Sequence, residues 1–226
     1  MFYWDSTMLL IIPALILAIY AQFKVKGTYS KYSQIYNARH ITGYQAAVEL
    51  LRMNGIGDVE VEETEGTLSD HYDPRIKKVR LSTTNFRGAS LASLAVAAHE
   101  VGHAVQHHKN YFPLQVRHAI LPVTNFGSWL AFPLFFIGFF LQTPFLMDLG
   151  IVLYAGVVLF HVVTLPVEYN ASNRALLQLE SHGFLTTQEV GGAKKVLNAA
   201  ALTYVAATAM ALMQLIRLLL IRGNDR

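Results

Sequence analysis

The chain alternates between long apolar segments and shorter polar stretches. Four apolar segments approach the roughly 20 residues that a helix needs to cross a bilayer. They cover residues 6–23, 120–141, 146–167 and 196–220. The sequence Gln142-Thr143-Pro144-Phe145 separates the second and third segments and predicts a tight helical hairpin. We therefore expect an N-terminal transmembrane anchor at 6–23, a transmembrane hairpin over 120–167 and a last transmembrane helix at 196–220.

The first apolar segment has the charge pattern of a retained anchor. Its basic residues follow the apolar run, whereas those of a secretory signal peptide precede it, and no small-residue cleavage site is apparent. Phe2, Tyr3 and Trp4 come just before it, as aromatic residues at a membrane interface do.

The polar stretch 24–118 has the patterns of a small α+β domain. Residues 42–54 (TGYQAAVELLRMN) have the spacing of an amphipathic helix, with Thr42 as cap and Gly55 as stop. Residues 58–64 and 77–82 alternate like strands. A further helix is predicted from about Ser90 to His107 or His108. The second polar stretch, 168–195, is predicted to be a helix on the same side of the membrane.

Composition agrees with a membrane protein. Of 226 residues, 53% are hydrophobic and 15% are charged, compared with about a quarter charged in soluble domains. The chain has no cysteine, which excludes disulfides, thiolate catalysis and cysteine-bound zinc. The net charge of +3 comes without an interleaved basic and aromatic pattern, so we expect no nucleic-acid partner.

The basic residues predict the orientation in the membrane. They are frequent after the first segment and in the stretch 168–195, and none lies between the two hairpin helices: Lys24, Lys26, Lys31, Arg39, Arg174, Lys194 and Lys195. Because Lys and Arg concentrate on the cytoplasmic side, we expect an outside N-terminus and a cytoplasmic location for 24–118 and 168–195. Arg217, Arg222 and Arg226 conflict with this orientation, because they would lie outside.

Residues 99–103, His-Glu-Val-Gly-His, form an H-E-x-x-H motif within the helix predicted from Ser90. Four helical residues turn by roughly 400°, so His99 and His103 share one face and can bind one zinc ion. Glu100 beside them can serve as the base that takes a proton from a zinc-activated water. The neighbouring residues are small and apolar, and a buried glutamate without a partner would be costly there.

The identity and position of the third metal ligand distinguish the classes of metalloprotease. A metzincin needs a third histidine at position 109, which is Lys109. An intramembrane site-2-type protease would use an aspartate such as Asp148, but the predicted topology puts Asp148 at the outer end of the hairpin. Glu168 follows the third apolar segment on the same side as the histidines, and we expect it to complete the site.

The two motifs A-A-H-E-V-G-H-A and P-V-E-Y-N-A-S-N-R-A resemble those of the YugP-type membrane zinc metallopeptidases, also described as neutral zinc metallopeptidase family 2. The similarity extends over nearly the whole chain and includes LSDHYDPR at 68–75. More distantly, the chain is similar to heat-shock membrane proteases and CAAX prenyl endopeptidases. Those relatives have an aspartate four residues after the glutamate, where this chain has Ser172. The resemblance implies that Ser172, Asn173 or a backbone carbonyl orients a zinc histidine, or that this histidine is held less firmly than in those relatives.

Together these observations predict a mainly α membrane protein of about four transmembrane helices with a small α+β, zincin-like (gluzincin-type) catalytic domain. The expected function is a zinc-dependent endopeptidase, multi-pass in a bacterial cell membrane, that cleaves peptides or proteins at the cytoplasmic face. Its expected partners are the lipid bilayer and a regulatory membrane protein. The strand at 77–82 is expected to align an extended substrate. Candidates for a transition-state or orienting role are His71, Tyr72, Tyr169, Ser172 and His182.

The alternative is a non-catalytic membrane scaffold that keeps zinc only to brace its cytosolic part. A structural zinc site usually has four protein ligands, whereas the sequence offers three. This difference favours a catalytic site.

Overall fold

Seven α-helices and one three-stranded sheet make up the described part of the chain, residues 6–224 of the computed structural model. Four helices are long and apolar enough to span a membrane: α1 (Ile12–Tyr32), α5 (Phe112–Phe140), α6 (Pro144–Ser181) and α7 (Thr187–Asn224). A short 3-10 helix, Ser6–Leu10, precedes α1. The predicted fold class, a mainly α membrane protein with a small α+β part, is confirmed. Phe2, Tyr3, Trp4 and Arg226, which entered the sequence predictions, lie outside the described residues.

The shorter elements lie between α1 and α5. The helices are α2 (Gly43–Met53), α3 (Thr83–Arg87) and α4 (Leu91–His108). The strands are β1 (Glu60–Thr64), β2 (His71–Asp73) and β3 (Lys78–Ser82). In the sheet, β3 is central and pairs with β1 in parallel and with β2 in antiparallel orientation. The two predicted strands and the two predicted helices are therefore present, whereas β2 and α3 were not predicted.

Local sequence explains where the short helices begin. At α2, the Thr42 hydroxyl accepts a hydrogen bond from the Gln45 backbone N–H, and the Gln45 side chain accepts one from the Thr42 N–H. This reciprocal capping box satisfies two backbone donors that the first helical turn leaves unpaired. Gly55 follows α2 with a φ of +71°, a conformation that glycine adopts without steric cost. At α4, the Ser90 hydroxyl caps the backbone N–H of Ser93 at 3.0 Å.

The contacts divide the chain into two compact units, which are described separately. The helical unit contains the residues up to Gln22, Gln115–Pro166 and the residues from Leu202. Its core includes Phe135, Met147 and Leu218, all fully buried. A Cβ atom at Gly150 would lie 2.6 Å from the Ala131 carbonyl oxygen, so α5 and α6 pack in close backbone contact. Large apolar side chains on the outer surface, among them Trp129 and Phe140, are exposed as expected for contact with lipid.

The sheet-containing unit comprises Phe23–Leu114 and Val167–Ala201. Its core combines Leu50 of α2, Leu94 and Val101 of α4, Leu81 of β3 and Leu179 of α6, each fully buried. The helix α6 does not end at residue 167, where the third apolar segment ends. It continues without interruption to Ser181 and carries Glu168 in its interior. Likewise α7 begins at Thr187, nine residues before the apolar segment predicted from position 196.

Candidate metal centre

The helix α4 presents His99 and His103 to a single carboxylate oxygen. The Nε2 atom of His99 lies 3.3 Å from the Oε2 atom of Glu168, and the Nε2 atom of His103 lies 3.5 Å from the same oxygen. All three ligand atoms lie within 4.8 Å of one another. Within residues 6–224, this is the one cluster of three or more His, Asp or Glu side chains with such spacing.

The close approach of α4 and α6 depends on Gly102. A Cβ atom at this position would lie 2.8 Å from the Ala171 carbonyl oxygen and 3.2 Å from the Ala171 Cα atom. Real Cβ contacts are not that short, so any larger residue would force the two helices apart. The glycine inside the H-E-x-x-H motif therefore lets α6 come near enough for Glu168 to reach the histidines.

The three side chains fit a zinc ion. Tetrahedral coordination with each ligand about 2.1 Å from the ion places two ligand atoms about 3.4 Å apart. The separations of 3.3 and 3.5 Å between Glu168 and the two histidines match this spacing. Two imidazole nitrogens and one carboxylate oxygen are also ligand types that zinc prefers, and three protein ligands leave one coordination position for water or substrate.

The electrostatic environment of the cluster favours a bound cation. Glu168 is only 2% exposed. Burial by itself lowers the pKa of His103, but the hydrogen bond and negative charge of Glu168 outweigh it, so the net shift raises this pKa. The same buried charge that favours a proton on His103 would favour a metal ion bound in the proton's place.

Each histidine ring also has a hydrogen-bonding partner at its Nδ1 atom. The Ser172 hydroxyl lies 3.1 Å from the Nδ1 atom of His99, and the Gln106 Oε1 atom lies 3.0 Å from the Nδ1 atom of His103. Ser172 was one of the residues expected from the resemblance to orient a histidine. Gln106 was missed, because it is followed by His107, His108 and Lys109 and so did not stand out from the polar end of the helix.

Glu100 lies next to His99 in the chain and is not one of the three converging ligands. It is 8% exposed. Burial raises the pKa of its carboxyl, while the nearby His99 and His103 oppose the increase. A carboxylate whose pKa is raised toward neutrality is better suited to accept a proton from water than an ordinary glutamate.

The other sequence candidates lie in different surroundings. The Tyr72 hydroxyl is 2.8 Å from the Nδ1 atom of His107, and burial, with the charges of Asp58 and Asp73, raises the Tyr72 pKa to about 12. Tyr72 therefore stays protonated at any physiological pH. The Nδ1 atom of His71 is hydrogen-bonded to the Ser69 carbonyl oxygen on the exposed surface.

His182 and Tyr169 are exposed, and neither belongs to the cluster of ligands. Asp148, the ligand of the site-2-type alternative, does not belong to it either. It forms an ion pair with Arg222, with an Nε–Oδ1 distance of 2.8 Å.

Comparison with known proteins gives the family. The model of the family described as "putative neutral zinc metallopeptidase" matches residues 7–223. The chain is also 48% identical over 217 residues, 96% of both sequences, to a Bacillus subtilis (strain 168) protein named "Putative membrane protease YugP". No solved structure shows significant similarity. The expected resemblance is confirmed: the chain belongs to this family of zinc metallopeptidases.

Proposed function

We propose that this protein is a membrane-bound zinc endopeptidase that cleaves peptide bonds at the cytoplasmic face of a bacterial membrane. The observation that carries the proposal is the convergence of His99, His103 and Glu168 at tetrahedral spacing, with Glu100 beside them. The name of the Bacillus relative, a membrane protease, supports the same class of reaction.

His99, His103 and Glu168 would hold the metal, and Glu100 would move the proton. A bound zinc ion supplies Lewis acidity, which acidifies water and polarises the carbonyl of a substrate. Glu100 accepts the proton of the attacking water and delivers it to the leaving amine. Its burial keeps bulk water from competing for this proton.

The sheet suggests how an extended substrate is aligned, but not in the way expected from sequence. The strand predicted at 77–82 is the central strand β3, and it is paired on both edges by β1 and β2. A peptide cannot add to it, so the expectation that this strand aligns the substrate is wrong. We assign alignment to the edge strand β2, whose Tyr72 contacts His107 on the metal-binding helix.

Charge distribution supports the cytoplasmic orientation. The basic residues that predict it all fall in the sheet-containing unit, which also holds the ligand cluster: Lys24, Lys26, Lys31, Arg39, Arg174, Lys194 and Lys195. Because a broad protease in the cytoplasm would be hazardous, we further propose that a membrane partner regulates access to the site.

The decisive experiment compares Glu100→Gln with wild type. The variant should bind one zinc ion per chain as wild type does, because Glu100 is not a ligand. Its cleavage of an unfolded protein should fall by about 10²–10⁴-fold, as expected for loss of a general base. Glu49→Gln is a matched control, since Glu49 lies on the surface and pairs with Arg52. Full cleavage by Glu100→Gln would refute the mechanism.

The same assay tests the scaffold alternative. A peptidase loses its cleavage on treatment with a chelator and regains it with zinc. A zinc-bearing scaffold would bind zinc with the same stoichiometry and show no cleavage before or after the treatment.

A further inference from the structure

Gln106 is a fully buried polar side chain three residues after His103 on α4. Its Nε2 atom donates to the Val167 carbonyl oxygen at 2.8 Å and to the Asn170 Oδ1 atom at 3.0 Å, both on α6. Its Oε1 atom faces the Nδ1 atom of His103 at 3.0 Å. One amide thus links the second histidine to the residue just before Glu168.

Arg174, at the other end of this network, fixes which atoms donate and which accept in these hydrogen bonds. The Arg174 Nε atom can only donate, and it lies 2.7 Å from the Asn170 Oδ1 atom, so this oxygen is oriented toward the network. The Val167 carbonyl can only accept. Both partners of the Gln106 Nε2 atom are therefore acceptors, and the amide cannot be turned over without placing its oxygen against two oxygens.

This orientation favours a hydrogen on the Nδ1 atom of His103. When Nδ1 donates to the Gln106 Oε1 atom, the neutral ring has its lone pair on Nε2. That lone pair is directed at Glu168, where a metal ligand is needed. At His99 the corresponding partner is the Ser172 hydroxyl, which can either donate or accept and so does not determine the tautomer.

We propose that Gln106 is a positioning residue that holds His103 in the Nδ1–H tautomer and ties it to the α6 turn carrying Glu168. The inference deepens the proposed function, because it concerns two of the three proposed zinc ligands. Val167 is the residue before Glu168, so the Gln106 amide fixes the position of His103 relative to Glu168. A carboxylate or carbonyl behind a metal-binding histidine commonly has this effect, and here an amide supplies it.

The first test uses zinc-free wild-type protein, selectively labelled with ¹⁵N-histidine, at a pH where the imidazoles are neutral. The Nδ1–H tautomer of His103, assigned by comparison with His103→Asn, should be more populated in wild type than in Gln106→Met, because without zinc Glu168 attracts a hydrogen to Nε2 and only Gln106 opposes it. Equal tautomer populations in the two proteins would overturn the proposal. Because neither zinc nor substrate is present, this result does not depend on whether the protein is a peptidase.

The second test separates a positioning role from simple packing. Gln106→Met keeps the volume and removes the acceptor, so the His103 tautomer should shift toward Nε2–H and zinc should bind about 10–100-fold more weakly. In Gln106→Glu an oxygen still faces Nδ1, so the tautomer should return. Its second carboxylate oxygen faces the Val167 carbonyl and the Asn170 Oδ1 atom, so zinc should remain more weakly bound than in wild type. Gln178→Met is the matched control, because Gln178 lies on α6 and bonds to Asn54.

The outcomes are distinct. Equal loss of zinc affinity in the Met and Glu variants with an unchanged His103 tautomer would show a packing role only and refute the proposal. Restoration of the Nδ1–H tautomer by Glu but not by Met supports it. If wild type binds zinc and has the expected tautomer but cleaves nothing, the proposed function fails and the positioning role of Gln106 stands.

Discussion

The two histidines proposed to bind zinc differ in how firmly they are held. His103 faces an amide oxygen of fixed orientation, whereas His99 faces the rotatable hydroxyl of Ser172. A hydroxyl that turns freely restricts the ring less than an anchored amide does. We therefore expect His99 to be the more weakly oriented of the two ligands.

Substitution Ser172→Ala should reveal this difference. Removing the hydroxyl should lower zinc affinity by about 10-fold, the lower limit for loss of a group that orients a metal ligand, and less than Gln106→Met does. Zinc affinity measured by competition with a chromogenic chelator checks this. Ser181→Ala, an exposed position at the end of α6, is the control. An effect of Ser172→Ala larger than that of Gln106→Met would contradict the ranking.

Sequence reasoning identified the residues of the site whose positions follow from local geometry. The spacing of His99 and His103 places both on one helical face whatever surrounds the helix. Glu168 was found from the predicted topology, and the structure places its carboxylate between the two imidazoles. The role of Gln106 could not be predicted in this way, because it depends on Val167 and Asn170, about 60 residues further along the chain.

At the scale of elements, predictions succeeded where the periodic pattern was long. The helices α2 and α4 carry both an amphipathic or apolar pattern and a capping residue, and they begin where the caps indicated. The strand β2 has three residues and α3 has five, which is too short for a period to appear. Their structure depends on pairing with the central strand β3 and on packing against α4, which the sequence pattern of such short segments does not show.

Contact between α4 and α6 predicts a specific effect of Gly102→Ala. The added methyl group would meet the Ala171 backbone at 2.8 Å, so the helices must separate at a cost of about 1–3 kcal/mol. Separation would also withdraw Glu168 from the histidines and weaken zinc binding. Thermal unfolding measured with and without zinc should show a lower Tm in both conditions and a smaller increase on adding zinc.

Gly191→Ala is the matched control for that experiment. Gly191 lies inside α7, and a Cβ atom there would meet nothing within 4 Å. Alanine should therefore stabilise this helix by about 0.5–1 kcal/mol and leave zinc binding unchanged. If Gly102→Ala behaves like Gly191→Ala, close helix packing is not what positions Glu168.

At the scale of the whole molecule, Arg217, Arg222 and Arg226 opposed the predicted orientation, and the described residues include the first two. In the helical unit, Arg222 forms an ion pair with Asp148 and its side chain is only 12% exposed. The Arg217 Nε atom lies 3.3 Å from the Thr7 hydroxyl. The seven Lys and Arg residues that predict the orientation still outnumber these three arginines, and this asymmetry supports a cytoplasmic position for the ligand cluster.

Because the chain contains no cysteine, single introduced thiols can test this orientation directly. Thr67→Cys places a thiol on the exposed connection between β1 and β2, and Leu141→Cys places one between α5 and α6, where Leu141 is 67% exposed. A membrane-impermeant maleimide applied to intact cells should label Leu141→Cys and leave Thr67→Cys unlabelled until the membrane is permeabilised. The cysteine-free parent gives the background. Labelling of Thr67→Cys in intact cells would put the sheet-containing unit outside, and the substrates would then have to be extracytoplasmic proteins.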